Sequence, residues 1–193
     1  MDFKGLNIGF AICGSFCTFS RAMEAVSALK ETGANIIPIM SETSFNTDTR
    51  FGTARTFIDK FRDITGNEIL SSVYDTEPIG PKKLLDALVI LPCTGNTLAK
   101  LSHGIADTSV TLAAKAHLRN KRPIVIGVST NDGLGTAAEN IGRLLTREHI
   151  FFIPFSQDDY INKPNSLVAD FTMLNDTLNL ALNGKQLQPI LAV

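Results

Sequence analysis

The chain has 193 residues, of which 44% are apolar and 19% are charged, and its formal net charge is −1 at pH 7. That length predicts one domain over residues 1–193, and the charge balance, with no run rich in Lys or Arg, excludes the electrostatic footprint of a nucleic-acid-binding protein. No apolar stretch reaches the roughly 18 residues that a membrane span requires, and the N-terminal stretch lacks a signal-peptide cleavage pattern, so we expect a soluble cytoplasmic protein.

Five continuous apolar runs of strand length alternate with helical patterns along the chain. They cover residues 6–13, 35–40, 87–91, 124–128 and 150–153. A strand that is covered by helices on both faces is apolar throughout rather than at alternate positions. The order of the elements therefore predicts an α/β fold, namely a three-layer, doubly wound parallel sheet of the Rossmann or flavodoxin-like type.

Amphipathic stripes mark the helices between these runs. They fall at residues 22–29, 54–61, 137–145 and 171–182. The last helix is expected to end near Asn183 and Gly184, and to begin at Asn165 or Ser166 because Pro164 blocks an earlier start. Residues 66–83 contain Pro78, Gly80 and Pro81. We interpret this segment as a long loop that could include a short strand.

Polar loops follow the first four strands, where ligands bind in doubly wound folds. Each loop begins a helix and is rich in glycine, hydroxyl or amide residues, which suit an anion at a helix start. Ordinary strand-to-helix turns with N-caps remain the alternative, since the GxGxxG fingerprint of dinucleotide binding is absent. The candidate binding residues are Gly14, Ser15, Ser41, Thr43, Thr94, Asn96 and Thr97.

The catalytic candidates are few. His103, Asn131 and Asp132 lie in or beside these loops, and Glu77 is a further carboxylate considered as a general base. The other two histidines are expected to be structural or surface residues. The three cysteines have no metal-ligand spacing and are expected to be small apolar residues in a reducing compartment, so no metal site is predicted. They are Cys13, Cys17 and Cys93.

Residues 14–15, 40–45, 92–100 and 104–107 resemble the flavoprotein family, which includes flavin-containing cysteine decarboxylases and flavin prenyltransferases. The motif of that family after the third strand reads Pro-Ala-Ser-Ala-Asn-Thr, and here Pro92, Asn96 and Thr97 are kept, while Thr94 replaces the serine. The resemblance covers about residues 5–155 and implies a pocket for flavin mononucleotide (FMN) or a similar ligand, and a homo-oligomer.

Two departures from the family concern its chemistry. The decarboxylases carry a catalytic histidine upstream of the third-strand motif, and residues 75–80 of this chain contain none. They also carry Pro-Ala-Met-Asn after the fourth strand, of which only Asn131 is kept. Decarboxylation of the cysteine type is therefore not expected.

The segments 13–19, 92–97 and 129–135 extend the resemblance to the whole chain and to one branch of the family. Members of that branch act with a separate A subunit during bacterial sporulation, in the cytoplasm of the mother cell. The resemblance implies oxidation of a small dicarboxylate, a dihydropyridine from the lysine pathway, with NAD(P) on the A subunit. A stand-alone FMN enzyme (decarboxylase or prenyltransferase) and a non-catalytic scaffolding protein remain alternatives.

Overall fold

The computed structural model describes residues 1–191 and confirms all five predicted strands. They are β1 (Asn7–Ile12), β2 (Asn35–Met40), β3 (Ala87–Cys93), β4 (Ile124–Thr130) and β5 (Ile150–Phe152). Every residue of β3 is buried, as are all but the last residue of β4. This burial on both faces explains why these strands are continuous apolar runs.

The five strands are parallel and lie in the order β2-β1-β3-β4-β5. The chain moves outward from β1 to β2 and then returns to place β3 on the other side of β1. The strand order therefore reverses between β1 and β3, and a crevice opens beyond their carboxyl ends. The predicted α/β fold of the flavodoxin-like type is confirmed.

The sheet is mixed rather than wholly parallel, which corrects the sequence prediction. Two further strands, β6 (Phe155–Ser156) and β7 (Leu167–Ala169), form an antiparallel pair. Strand β7 also runs antiparallel to the end of β4, where Ser129 pairs with Val168 and Thr130 with Leu167. Strand β6 has two residues, and the apolar run of β7 is limited to three residues between Ser166 and Asp170, whereas the run at β5 extends to Ile153.

Helices flank the sheet in two packed groups. The helices are α1 (Phe19–Glu31), α2 (Glu42–Asn46), α3 (Ala54–Thr65), α4 (Val73–Thr76), α5 (Gly95–His103), α6 (Ser109–Leu118), α7 (Ala137–Leu145) and α8 (Leu174–Leu182). Helix α1 packs against α3 and α8, whereas α5 packs against α6 and α7. Within residues 1–191, no helix is both long enough and apolar enough to cross a bilayer.

The last helix begins later than the sequence predicted. Asn165 and Ser166 do not begin it, because the residues that follow them form β7. Asp170 instead accepts a hydrogen bond from the backbone N–H of Thr172 at 3.0 Å and caps a short 3-10 turn that leads into α8. The predicted end is confirmed, since α8 stops at Leu182 and Gly184 adopts a left-handed φ of 70°.

The long segment 66–83 contains more structure than a loop. Leu70 forms an isolated parallel bridge with Ile39, which corresponds to the short strand that the sequence allowed here. The side chain of Ser72 accepts a hydrogen bond from the backbone N–H of Asp75, whose carboxylate accepts one in return, and this capping box starts α4. Four residues give too little periodicity for such a helix to be predicted.

Candidate ligand-binding site

A cavity of about 830 Å³ opens at the point where the strand order reverses. Its walls come from the loops after β1, β3 and β4, from the first turns of α1 and α7, and from the segment before β7. The predicted residues that line it are Gly14, Ser15, Thr94, Asn96, Asn131 and Asp132. Three of the four predicted loops therefore meet in one site.

The loop after β1 is tied across the end of the sheet to β4. The hydroxyl groups of Ser15 and Ser129 lie 2.8 Å apart, which spans the end of the intervening β3. The hydroxyl of Thr18 donates to the backbone carbonyl of Ser15 at 2.8 Å and closes the turn before α1. Gly14 lines the cavity, and a Cβ there would be in ordinary contact with the ring of Phe16 at 3.6 Å and with Cγ2 of Thr43 at 3.7 Å.

The loop after β3 directs the start of α5 into the cavity. Thr94 is the N-cap, and its side chain accepts a hydrogen bond from the backbone N–H of Thr97 at 3.3 Å. Gly95 allows close packing on β4, because a Cβ would lie 2.9 Å from the Thr130 hydroxyl oxygen. Since Gly95 and Asn96 line the cavity, the positive end of the α5 dipole faces its interior.

The loop after β4 supplies an amide and a carboxylate, and α7 supplies a second amide beyond them. Asn131 is exposed to the cavity, while the backbone carbonyl of Asp132 accepts hydrogen bonds from the N–H groups of Gly135 and Ala137. Asn140, on α7, is buried and lines the same cavity. The Ser102 hydroxyl donates to its side-chain oxygen at 2.5 Å, which holds the amide in place from the α5 side.

Three cations that were not predicted as site residues also line the cavity. They are Arg21, Arg50 and Lys163. Arg21 lies in the first turn of α1, Arg50 lies in a tight turn between α2 and α3, and Lys163 lies in the segment before β7. Arg21 could have been predicted as a site residue, because it lies at the start of the helix that follows the Gly14-Ser15 loop. The other two reach the site only through loops whose path the sequence does not reveal.

Several predicted residues lie outside this cavity. Ser41 is the N-cap of α2, where its hydroxyl lies 2.8 Å from that of Ser44, and Thr43 is exposed on the same helix. Thr97 is buried, and its hydroxyl lies 3.1 Å from that of Thr94. Ser41 therefore acts as a helix N-cap, which was the alternative to a role in ligand binding.

The two other catalytic candidates from the sequence are also remote from the cavity. His103 is exposed at the far end of α5, where its Nδ1 lies 2.9 Å from the carbonyl oxygen of Ala99 and its Nε2 lies 3.4 Å from an Arg143 nitrogen. Glu77 borders a separate apolar groove that is formed by residues such as Tyr74 and Leu112. Neither residue contributes to the cavity wall.

The thiols beneath the site are protonated at neutral pH. Burial raises the pKa of Cys13 to about 11, against the opposing effect of a hydrogen bond with Thr97, and burial raises the pKa of Cys93 well above its usual value. Of the three cysteines, only Cys17 is exposed, and it lines the cavity. Among residues 1–191, no three His, Cys, Asp or Glu side chains are grouped so that they could hold a metal ion.

Comparisons with known proteins agree with this architecture. The family model described as Flavoprotein matches residues 2–159. The chain is 45% identical to the dipicolinate synthase B subunit of Bacillus subtilis (strain 168), over 97% of this chain and 94% of that protein. The crystal structure of the dipicolinate synthase B subunit from Bacillus halodurans is 44% identical and superposes with a TM-score of 0.92, covering 100% of this chain and 99% of that one.

A more distant structure shares the fold alone. The crystal structure of the FMN-dependent cysteine decarboxylase SpaF is 23% identical and has a TM-score of 0.67, covering 92% of this chain and 97% of that one. The flavodoxin-like sheet and its flanking helices are therefore common to proteins whose sequences have diverged widely.

Proposed function

Because the chain belongs to the Flavoprotein family and matches a dipicolinate synthase B subunit over nearly its whole length, we propose that it is the B subunit of a dipicolinate synthase. It acts with a separate A subunit in the cytoplasm of the mother cell of a sporulating bacterium. The 45% identity over 97% of the chain is the observation that carries this proposal.

The reaction is the aromatisation of dihydrodipicolinate, a dihydropyridine with two carboxylates. One ring carbon gives up a hydride to NAD(P)⁺ on the A subunit, and a second ring position loses a proton. The products are dipicolinate, NAD(P)H and H⁺, so two electrons leave the ring and two enter the nicotinamide. A cofactor carries the hydride chemistry in such reactions, and the protein binds and orients the substrate.

The cavity supplies what such a substrate needs. Ser15, Thr94 and Ser129 offer hydroxyl groups, and the first turn of α5 presents a positive dipole end. Asp132 is the one predicted carboxylate in the wall, which makes it the candidate to accept the ring proton. Dipicolinate itself is small and flat, and the partly exposed ring of Phe16 gives its plane an apolar surface.

The same cavity fits a flavin mononucleotide. Its volume of about 830 Å³ lies within the usual range of small-molecule sites. Gly14, Ser15, Thr94 and Gly95 would hold the phosphate, because all four line the cavity and Gly95 begins a helix. When bound, a flavin supplies a two-electron acceptor.

Reconstitution with the A subunit tests the proposed function. The A subunit, this chain and the equimolar mixture would each be given dihydrodipicolinate and NAD(P)⁺, and dipicolinate would be followed by its absorbance. We expect turnover by the mixture and none by this chain alone. If the A subunit without this chain forms dipicolinate at the full rate of the mixture, the proposal fails.

An absorbance spectrum of the purified chain separates the stand-alone flavin enzyme from the proposed synthase component. A protein that has the yellow absorbance of flavin and converts a substrate without the A subunit would favour the alternative. The absence of the family histidine from residues 75–80 argues against it.

Alanine variants separate a working site from a scaffold. Thr94→Ala and Asn96→Ala each remove a polar group of the cavity wall, and Thr94→Ala also removes the N-cap of α5, so the fold of each variant is checked by thermal unfolding. We expect the mixture with either variant to lose turnover while the variant still assembles with the A subunit. Full turnover with both variants would favour a scaffolding role.

A further inference from the structure

Two arginines face the cavity without a carboxylate partner of their own. Arg21 projects from the first turn of α1 and borders both this cavity and a neighbouring groove that contains Phe171. Arg50 lies in the turn that is closed by backbone hydrogen bonds between Thr49 and Gly52 at 3.0 and 3.1 Å. None of the ion pairs formed within residues 1–191 includes either of them. Both guanidinium charges are therefore available to a ligand.

Each guanidinium group is held against an aromatic ring. The Arg21 guanidinium carbon lies 4.5 Å from the centre of the buried Phe171 ring, and that of Arg50 lies 4.9 Å from the centre of the Phe51 ring. Contact with a ring uses the face of the guanidinium and leaves its N–H groups free at the edge. Both side chains are exposed at the cavity wall, and the ring contact leaves the edge of each guanidinium accessible to a ligand.

The other charged side chains of the cavity form no ion pair with Arg21 or Arg50. Lys163 and Asp158 lie 3.9 Å apart and compensate one another. One carboxylate oxygen of Asp132 lies over the position that a Cβ of Gly135 would occupy, and Asp132 forms no ion pair with either arginine. The charged side chains of the cavity are three cations and two carboxylates, so the lining carries a surplus of one positive charge in a chain whose net charge is −1.

We propose that Arg21 and Arg50 determine the specificity of the site by each receiving one carboxylate of a small planar dicarboxylate. A guanidinium edge matches the two oxygens of a carboxylate, and such charge-assisted pairs are the strong and directional ones. This inference rests on the proposed function and deepens it, because it names the groups that distinguish the dicarboxylate from a ligand with one acid group.

The test compares two ligands on wild type and on single variants. Dissociation constants of dipicolinate, with two carboxylates, and picolinate, with one, would be measured by titration calorimetry for wild type, Arg21→Gln and Arg50→Gln. Arg55→Gln is the matched control, because Arg55 is exposed on α3, pairs with Asp59 at 2.8 Å and does not line the cavity. Thermal unfolding of every variant confirms that it is folded.

We expect wild type and Arg55→Gln to bind dipicolinate at least about tenfold more tightly than picolinate, since a hydrogen-bonded charge contributes roughly one to two powers of ten in affinity. Arg21→Gln or Arg50→Gln should each weaken dipicolinate binding about tenfold, so that the dissociation constants of dipicolinate and picolinate become similar. Arg21→Lys and Arg50→Lys should recover part of the preference for dipicolinate over picolinate, because lysine keeps the positive charge but lacks the paired N–H donors of a guanidinium.

The proposal is overturned if wild type does not prefer dipicolinate, or if either glutamine variant keeps the wild-type preference. Failure of the proposed function would appear elsewhere, as full activity of the A subunit without this chain. A chain that prefers dipicolinate through Arg21 and Arg50 but does not stimulate the A subunit would retain the specificity pair and lose the synthase assignment.

Discussion

At Gly133 the loop after β4 packs directly on β7. A Cβ at this position would lie 2.6 Å from both Cβ and Cγ of Leu167, so the strand or the loop has to move. We expect Gly133→Ala to lower the free energy of unfolding by about 1–3 kcal/mol and to weaken ligand binding, because Asn131 and Asp132 move with the loop. Urea unfolding and dipicolinate titration measure the two effects.

Gly142→Ala is the control for this substitution. Gly142 is exposed within α7, and a Cβ there would have no neighbouring atom within 4 Å, so alanine should stabilise the helix by about 0.5–1 kcal/mol. Equal effects of the two substitutions on stability would contradict the close packing at Gly133.

His117 makes stability depend on pH. Burial, aided by the nearby Arg122 charge, lowers its pKa from the usual 6.5 to about 4, and its Nε2 lies 3.1 Å from the Pro123 carbonyl oxygen. The unfolded ring gains a proton near its usual pKa while the folded ring stays neutral. Stability is therefore complete above about pH 6.5 and falls as the pH drops toward 4, by up to about 1.4 kcal/mol per pH unit.

Urea unfolding of wild type and His117→Gln between about pH 7.5 and 4, an interval that covers the titration of the unfolded ring, measures this contribution. The variant should start with a lower free energy of unfolding at neutral pH and show a shallower loss on acidification. Parallel curves for the two proteins would show that another group dominates the acid sensitivity.

Among the elements, the helix starts divide into those that only cap and those that also face the ligand. Thr94 at α5 and Thr108 at α6 are both half-buried N-caps, and each accepts a hydrogen bond from the backbone N–H three residues later, at 3.3 and 3.2 Å. We expect Thr94→Ala and Thr108→Ala each to cost about 1 kcal/mol of stability. Only the first lines the cavity, so only Thr94→Ala should also weaken dipicolinate binding.

The elements also show where the sequence was sufficient and where it was not. The five parallel strands were predicted because burial on both faces leaves only apolar residues, as in β3. Strand β7 was missed because its three apolar residues lie between Ser166 and Asp170, next to a predicted helix start, and because its pairing with the end of β4 is a long-range contact. The start of the last helix was misplaced for the same reason, since Asn165 and Ser166 resemble caps but lead into β7.

For the molecule as a whole, the loops that follow strands were sufficient to locate the site but not to complete it. Gly14, Thr94 and Asn131 were predicted to meet because carboxyl ends of parallel strands share one edge. Arg50 was not, because a turn distant from the strand ends brings it to the cavity. Ser41 was predicted as a binding residue because its loop is rich in hydroxyl residues, although its own hydroxyl is hydrogen-bonded to that of Ser44 within α2.

The three cysteines report on the integrity of the whole fold. Cys13 directly follows β1 and Cys93 ends β3, and both are buried with raised pKa values, whereas Cys17 is exposed in the cavity. Because the thiolate is the reactive form, iodoacetamide should modify Cys17 in the native protein, while Cys13 and Cys93 react only through opening of the central sheet. Mass spectrometry of the labelled chain over time measures both phases.

Ligand binding should separate these phases further. Dipicolinate in the cavity should slow modification of Cys17 by covering it, and it should slow the other two thiols by stabilising the fold, by about 2.7 kcal/mol at one hundred times its dissociation constant. Cys17→Ser is the control and should abolish the fast phase alone. Rapid labelling of Cys13 or Cys93 in the native protein would mean that the end of the sheet beneath the cavity opens locally, without unfolding of the whole chain.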